Sequence, residues 1–212
     1  MAFVIGIDTT GYCSQSCVVL GSPARINALR EKFARILREC GHSGELHWRR
    51  VRRAVRKKAA PRLAEALRES GARFFVFGHV KPRDWNKREF FLVALPNRLA
   101  AELEPQLATL ACARETVAVK CDVDFDKVVK GGTSQFLYKL LKNLGSRLTG
   151  ADVKPLLKRD YMLYLGLPGG RALELVGQLS SRDDAAVCVA DLVLGLSMEL
   201  SRVDGVVRRR LF

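Results

Sequence analysis

Three aspartates occupy positions where an acid is costly. Asp8 closes the apolar run VIGID at residues 4–8, just ahead of two threonines and Gly11. Asp122 lies in VAVKCDVDFD, where strand alternation puts Asp122, Asp124 and Asp126 on one face and Val119, Cys121, Val123 and Phe125 on the other. Asp191 interrupts VCVADLVLGL between Ala190 and Leu192. An ionised carboxylate in such surroundings needs a partner, a metal or a polar pocket. Taken singly, each is more often a cap or an ion-pair partner than a ligand. Brought together on two neighbouring parallel strands and a helix, they would repel one another unless cations neutralised them, and oxygen-only ligation suits Mg²⁺ or Mn²⁺. Two such ions about 3.5–4 Å apart activate a water and stabilise the leaving oxygen of a phosphodiester.

The elements that must position these acids follow from apolar spacing. VIGID is a buried strand, GYCS a hairpin turn, and SQSCVVLGS a second strand. Ile26, Leu29, Phe33, Ile36 and Leu37 recur at helical spacing from Pro23 to Cys40, and Gly41 ends that helix. After the loop GHSGELHW and a short extended or helical piece, APRLAEALRESG is a helix with Pro61 near its start. ARFFVFGHV is a central strand, because Phe74, Phe75, Val76 and Phe77 are continuously apolar. Residues 89–110 are helical with interruptions at Pro96 and Pro105, ETVAVKCDVDF is a strand, and a polar turn at KGGTS leads into the helix QFLYKLLKNLGSRL. DYMLYLGL and ALELVGQLS are extended. The last helix begins near Ser181 with Asp183 and Asp184 in its first turn, where the dipole favours negative charge. The basic tail over 206–212 is expected to fray. Without repeats or low-complexity linkers, the expectation is one mixed α/β domain over 1–212.

Composition narrows the partners. The 212 residues carry a formal net charge of +14, and 24 of the 36 basic residues are arginine, whose planar fork suits phosphate. Seven cations crowd into residues 49–58, in HWRRVRRAVRKK: Arg49, Arg50, Arg52, Arg53, Arg56, Lys57 and Lys58. Such a block can hold the backbone of a nucleic acid with Trp48 stacked on a base or sugar, or it can be a solvated cationic face with Trp48 in the core. No stretch is apolar for long enough to cross a bilayer, and no basic segment precedes the first apolar run, so the expectation is a soluble, cytoplasmic protein with no membrane partner. The oligomeric state stays open, a dimer included. Six cysteines at 13, 17, 40, 112, 121 and 188 form no zinc framework and are expected to be free thiols. His42, His47 and His79 are scattered; His47 is either a base or ligand or a plain polar residue.

The order of the acids, strand then strand then helix, resembles the ribonuclease H-like superfamily. More closely it resembles an uncharacterised branch with an apolar first strand ending in D-E-S-G, a later E-x-K-type motif and a final L-Q-L-A-D-L-x-x-G. The matching stretches are D-T-T-G at 8–11, G-E-L-H-W at 44–48 and V-C-V-A-D-L-V-L-G at 187–195. The resemblance implies an α/β fold with a mixed sheet flanked by helices, and Asp8, Glu45, Asp122 and Asp191 as a catalytic, metal-binding set for Mg²⁺ or Mn²⁺. Asp124 is the reserve for Asp122, and Glu31 or Glu39 for Glu45. Thr9 stands where the branch has glutamate. The implied function is a metal-dependent nuclease acting on RNA or DNA; the alternative is an inactive nucleic-acid-binding protein on the same fold. A phosphotransferase of the actin and sugar-kinase type shares I-G-I-D-x-x-T, but that class duplicates its fold and this chain has no length for it.

Overall fold

In the computed structural model the N-terminal apolar run is strand β1 (Ala2–Thr9), followed by β2 (Gln15–Gly21), α1 (Pro23–Glu39), a 3-10 turn (Trp48–Arg50), α2 (Arg53–Glu69) and β3 (Arg73–Gly78). Then come α3 (Lys87–Glu89), a π-helical stretch (Phe90–Ala94), α4 (Leu95–Ala108), β4 (Arg114–Asp122) and α5 (Gly132–Thr149). The chain closes with β5 (Leu156–Leu157), β6 (Tyr161–Leu167), β7 (Arg171–Ser180), α6 (Ala185–Glu199) and β8 (Val206–Arg210). The structure describes all residues except 1, 10–14, 79–85, 111–113, 123–130, 181–182, 201–202 and 211–212, and leaves out the side chains of 2, 87, 114, 209 and 210. Asp124, Asp126, Cys112, His79 and the whole GYCS turn, Cys13 included, lie outside the described residues.

The chain divides into two units, Val4–Val80 with Ser181–Phe212, and Met1–Phe3 with Lys81–Ser180. The first unit orders its strands β1-β2-β3-β8. β1 and β2 form the expected hairpin, with Asp8 opposite Cys17, and β2 pairs antiparallel with β3. β3 is hydrogen-bonded on both sides, with β8 parallel beside it, so its unbroken apolar run is that of an interior strand. Helix α6 lies against β2 and β3, and α1 and α2 pack on it. A Cβ on Gly6 would overlap the Ala186 carbonyl and stand 2.8 Å from the Ala186 Cβ, so β1 and the start of α6 touch backbone to backbone. Gly6 and Asp8 share a strand face, which puts Asp8 on the α6 side.

Helix α1 follows expectation: Ser22 caps the Arg25 N–H, and Ile26, Leu29, Phe33, Ile36 and Leu37 form its buried stripe. Helix α2 corrects one. It starts at Arg53, eight residues before Pro61, and Pro61 lies inside it. Burial of Val55, Ala59, Ala60, Leu63, Ala66 and Leu67 along one face offsets the roughly 3 kcal/mol that an interior proline costs. The last helix also starts later than expected, at Ala185: Asp184 is its N-cap, accepting the Ala186 N–H at 2.9 Å, and Asp183 precedes it. The tail is likewise not frayed over 206–210. It is β8, held parallel to β3 and by Arg208, whose Nη2 donates to the Ser197 and Leu200 carbonyls at 2.6 Å each, where a cation meets the negative end of α6.

The second unit orders its strands β5-β6-β7-β4, with β4 and β7 parallel and the other pairs antiparallel. Asp122 is the last residue of β4, opposite Ser180, and Val117, Val119 and Cys121 are fully buried on the alternate face as expected. Helix α5 packs on this sheet closely enough that a Cβ on Gly145 would come within 2.5 Å of Leu163 and 2.6 Å of Val153. Helix α4 takes Pro96 in its first turn and runs unbroken through Pro105, with Leu99, Leu103 and Leu107 buried, so the expected second interruption is absent. Both units combine mixed strands with covering helices, and the fold class is α/β. Among the described residues no helix is long and apolar enough to cross a membrane.

Candidate functional site

Asp191 has a partner, and it comes from the segment between α1 and α2. Its Oδ2 accepts two hydrogen bonds, from His47 Nδ1 at 2.9 Å and from the Trp48 backbone N–H at 2.7 Å. An ionised carboxylate only accepts, so the proton of this contact sits on Nδ1. The segment is folded by its own turns: the His42 ring nitrogen Nε2 contacts the Glu45 carbonyl at 2.9 Å, and the His47 N–H donates to that carbonyl at 2.8 Å. It is then nailed to α6 by Trp48, which is 4% exposed. A Cβ on Gly195 would overlap the indole and stand 2.6 Å from the Trp48 Cβ, so only glycine lets this ring lie on the helix. Gly195 is one turn beyond Asp191, so ring and carboxylate are held on one side of α6.

Asp8 meets the same neighbourhood through Cys17. Burial, then the charges of Asp8 and Asp191, push the Cys17 thiol well above its ordinary value. Both carboxylates therefore lie near one buried sulfur, Asp8 as its cross-strand partner and Asp191 from the helix above. A thiol so placed stays protonated and is neither nucleophile nor ligand at neutral pH.

Glu45 is exposed and pairs its Oε2 with Arg50 Nη1. The residue that faces Asp191 is His47, two positions later; its signal in the sequence was the weak one of a histidine among apolar neighbours. Asp122 is buried at the end of β4 in the second unit, and Asp124 lies outside the described residues. Glu31 is exposed, and Glu39 is paired with Arg62, which holds its carboxyl below the usual range.

No family model, curated protein or solved structure matches the chain. Among the described residues no group of three or more histidine, cysteine, aspartate and glutamate side chains is arranged to hold a metal ion. Asp8 and Asp191 are two oxygen donors bearing on one locality, a donor chemistry that fits a hard divalent cation rather than zinc.

The basic block splits in two. Trp48 is in the core, the second of its two readings, and its indole is covered by the Arg56 guanidinium 5.6 Å from the ring centroid. Arg56 also donates to the Val51 carbonyl at 2.7 Å and to Glu199 at 3.0 Å, fastening α2 to α6. Neither Trp48 nor Arg56 is therefore offered to a ligand, and Arg50 is engaged by Glu45. The remaining five, Arg49, Arg52, Arg53, Lys57 and Lys58, are exposed and make no ion pair among the described residues. Arg52 is the N-cap residue of α2 without a side-chain cap, and the first turn holds no acid. Each cation there opposes the helix dipole by about 0.3–1 kcal/mol, which a bound polyanion would reverse.

Proposed function

We propose that the protein is a metal-dependent nuclease on a ribonuclease H-like fold, hydrolysing phosphodiester bonds of RNA or DNA. The observation that carries this reading is that Asp8, at the end of the first strand, and Asp191, inside the last helix, both bear on Cys17. Asp8 and Asp191 would hold Mg²⁺ or Mn²⁺, which supplies an activated water and stabilises the leaving oxygen. His47 and Trp48 orient Asp191 through Oδ2, and Oδ1 would be the oxygen that takes the metal. The exposed cations of the 49–58 segment hold the nucleic-acid backbone.

Labelled single-stranded, duplex and hybrid nucleic acids incubated with Mn²⁺, with EDTA, and with an Asp8→Asn variant test this. Cleavage is expected with Mn²⁺ alone and only for the unaltered protein; cleavage that persists in EDTA or in the variant refutes the assignment. The inactive-binding reading draws support from the Glu45–Arg50 pair and from Thr9, and binding without cleavage selects it.

Affinity should fall steeply with salt. Five phosphate contacts correspond to a slope of log K against log salt of about −3.5 on single strands and about −4.5 on duplex DNA. Replacing Arg52 and Lys57 by glutamine should flatten the slope by nearly 1 per residue, whereas Arg56→Gln should lower the melting temperature instead. A slope untouched by the Arg52 and Lys57 changes moves the contact surface elsewhere.

A further inference from the structure

Helix α1 carries one cation on the edge of its buried stripe. Arg30 falls between Ile26, one turn before it, and Phe33, three residues after, both buried, and it faces α6. Its Nε is buried and has no hydrogen-bond acceptor. The guanidinium makes no ion pair among the described residues; what it reaches is the Cys188 sulfur. Burial pushes that thiol up to about 11 despite Arg30, so at neutral pH the sulfur is uncharged and does not neutralise the arginine. Cys188 in turn lies three residues before Asp191 on the same flank of α6, and its Sγ contacts the Leu46 carbonyl at 3.5 Å, in the segment that anchors Asp191. A guanidinium with a dry, unmet N–H is expensive to keep, and arginine's fork is built to take two oxygens of one anion.

We propose that Arg30 is the anion-binding residue of this site, taking a non-bridging oxygen of the substrate phosphodiester on its buried Nε–H and the neighbouring N–H. This rests on the nuclease reading for the identity of the ligand, but its test does not need turnover. The carboxylates of Asp8 and Asp191 oppose an anion unless a divalent cation is present, so binding through Arg30 is stronger with Mn²⁺ than without.

Calorimetric titration of the full chain in Mn²⁺, with inorganic phosphate in one arm and an unphosphorylated dinucleotide in the other, measures this directly. Both should bind, and Arg30→Met should weaken both by about tenfold or more while the melting temperature holds or rises, because an unmet buried charge has been removed. Arg30→Lys keeps the charge and loses the fork, and should bind more weakly than the unaltered protein at an unchanged melting temperature. Phosphate binding that either variant retains in full overturns the proposal. So does a protein that takes phosphate but not the dinucleotide, since the anion is then not a diester. Failure of the cleavage assay with intact, Arg30-dependent dinucleotide binding would remove the nuclease reading and leave the anion site standing.

Discussion

Asp191→Asn is expected to leave the fold standing and, on the proposed nuclease function, to cut metal-dependent cleavage by more than about a hundredfold. The asparagine carbonyl can still accept from His47 Nδ1 and from the Trp48 N–H, so both buried donors keep a partner. What is lost is the negative charge, and loss of outer-shell partners alone already costs metal sites about 10- to 100-fold. Asp191→Ala makes the contrast. It orphans both donors in a site where Asp191 and His47 side chains are only 13% and 10% exposed, and should cost about 1–3 kcal/mol of stability for each donor left unmet. Urea unfolding of the two variants beside a cleavage time course separates the roles. An asparagine variant that cleaves normally removes Asp191 from the chemistry, whatever the alanine variant does to the fold.

Gly6→Ala and Gly195→Ala should be the most damaging single-methyl changes in the first unit. At Gly6 the new Cβ overlaps backbone, the Ala186 carbonyl, which no rotamer change can clear. At Gly195 it overlaps the stem of the Trp48 ring, not a flexible tip. Alanine would normally gain about 1 kcal/mol over glycine in a helix, so the sign at Gly195 is decided by packing. Overpacking of this kind costs about 1–3 kcal/mol and sometimes more, and the backbone clash should lie at the top of that range. Gly166→Ala is the control: it sits in β6 with nothing within 4 Å of the added carbon and a conformation any residue adopts. Denaturant midpoints for the three should fall in the order Gly6, Gly195, Gly166 from least to most stable. A Gly6 variant as stable as the Gly166 variant would mean that β1 and α6 are not in backbone contact.

What the sequence made legible was local. The apolar run at residues 4–7 placed Asp8 at the end of a buried strand, and the continuous apolar run around Asp191 announced a buried acid, because both signals come from neighbours in the chain. The identity of Asp191's partner was not legible, since His47 and Trp48 reach it from 144 and 143 residues away through an irregular segment with no period to read. Two residues of uncertainty in that segment separate Glu45 from His47. Trp48 had two readings, and only the seat offered by Gly195 decides between them. The start of α2 was missed for a different reason: seven cations and Pro61 argue locally against a helix, while a buried face that only tertiary packing supplies argues for it. β8 was missed because pairing with β3 is a long-range event that five residues of sequence do not advertise.

Four cysteines, Cys17, Cys40, Cys121 and Cys188, are buried and unbridged, three in the first unit and Cys121 in the second. Alkylating reagents reach them only when the surrounding structure opens, so each is a built-in clock for its own element: β2, the end of α1, β4 and α6. Mass-resolved labelling of the unaltered protein, with and without Mn²⁺ or nucleic acid, thus times the opening of each unit separately, with no introduced probe to disturb the packing it reports.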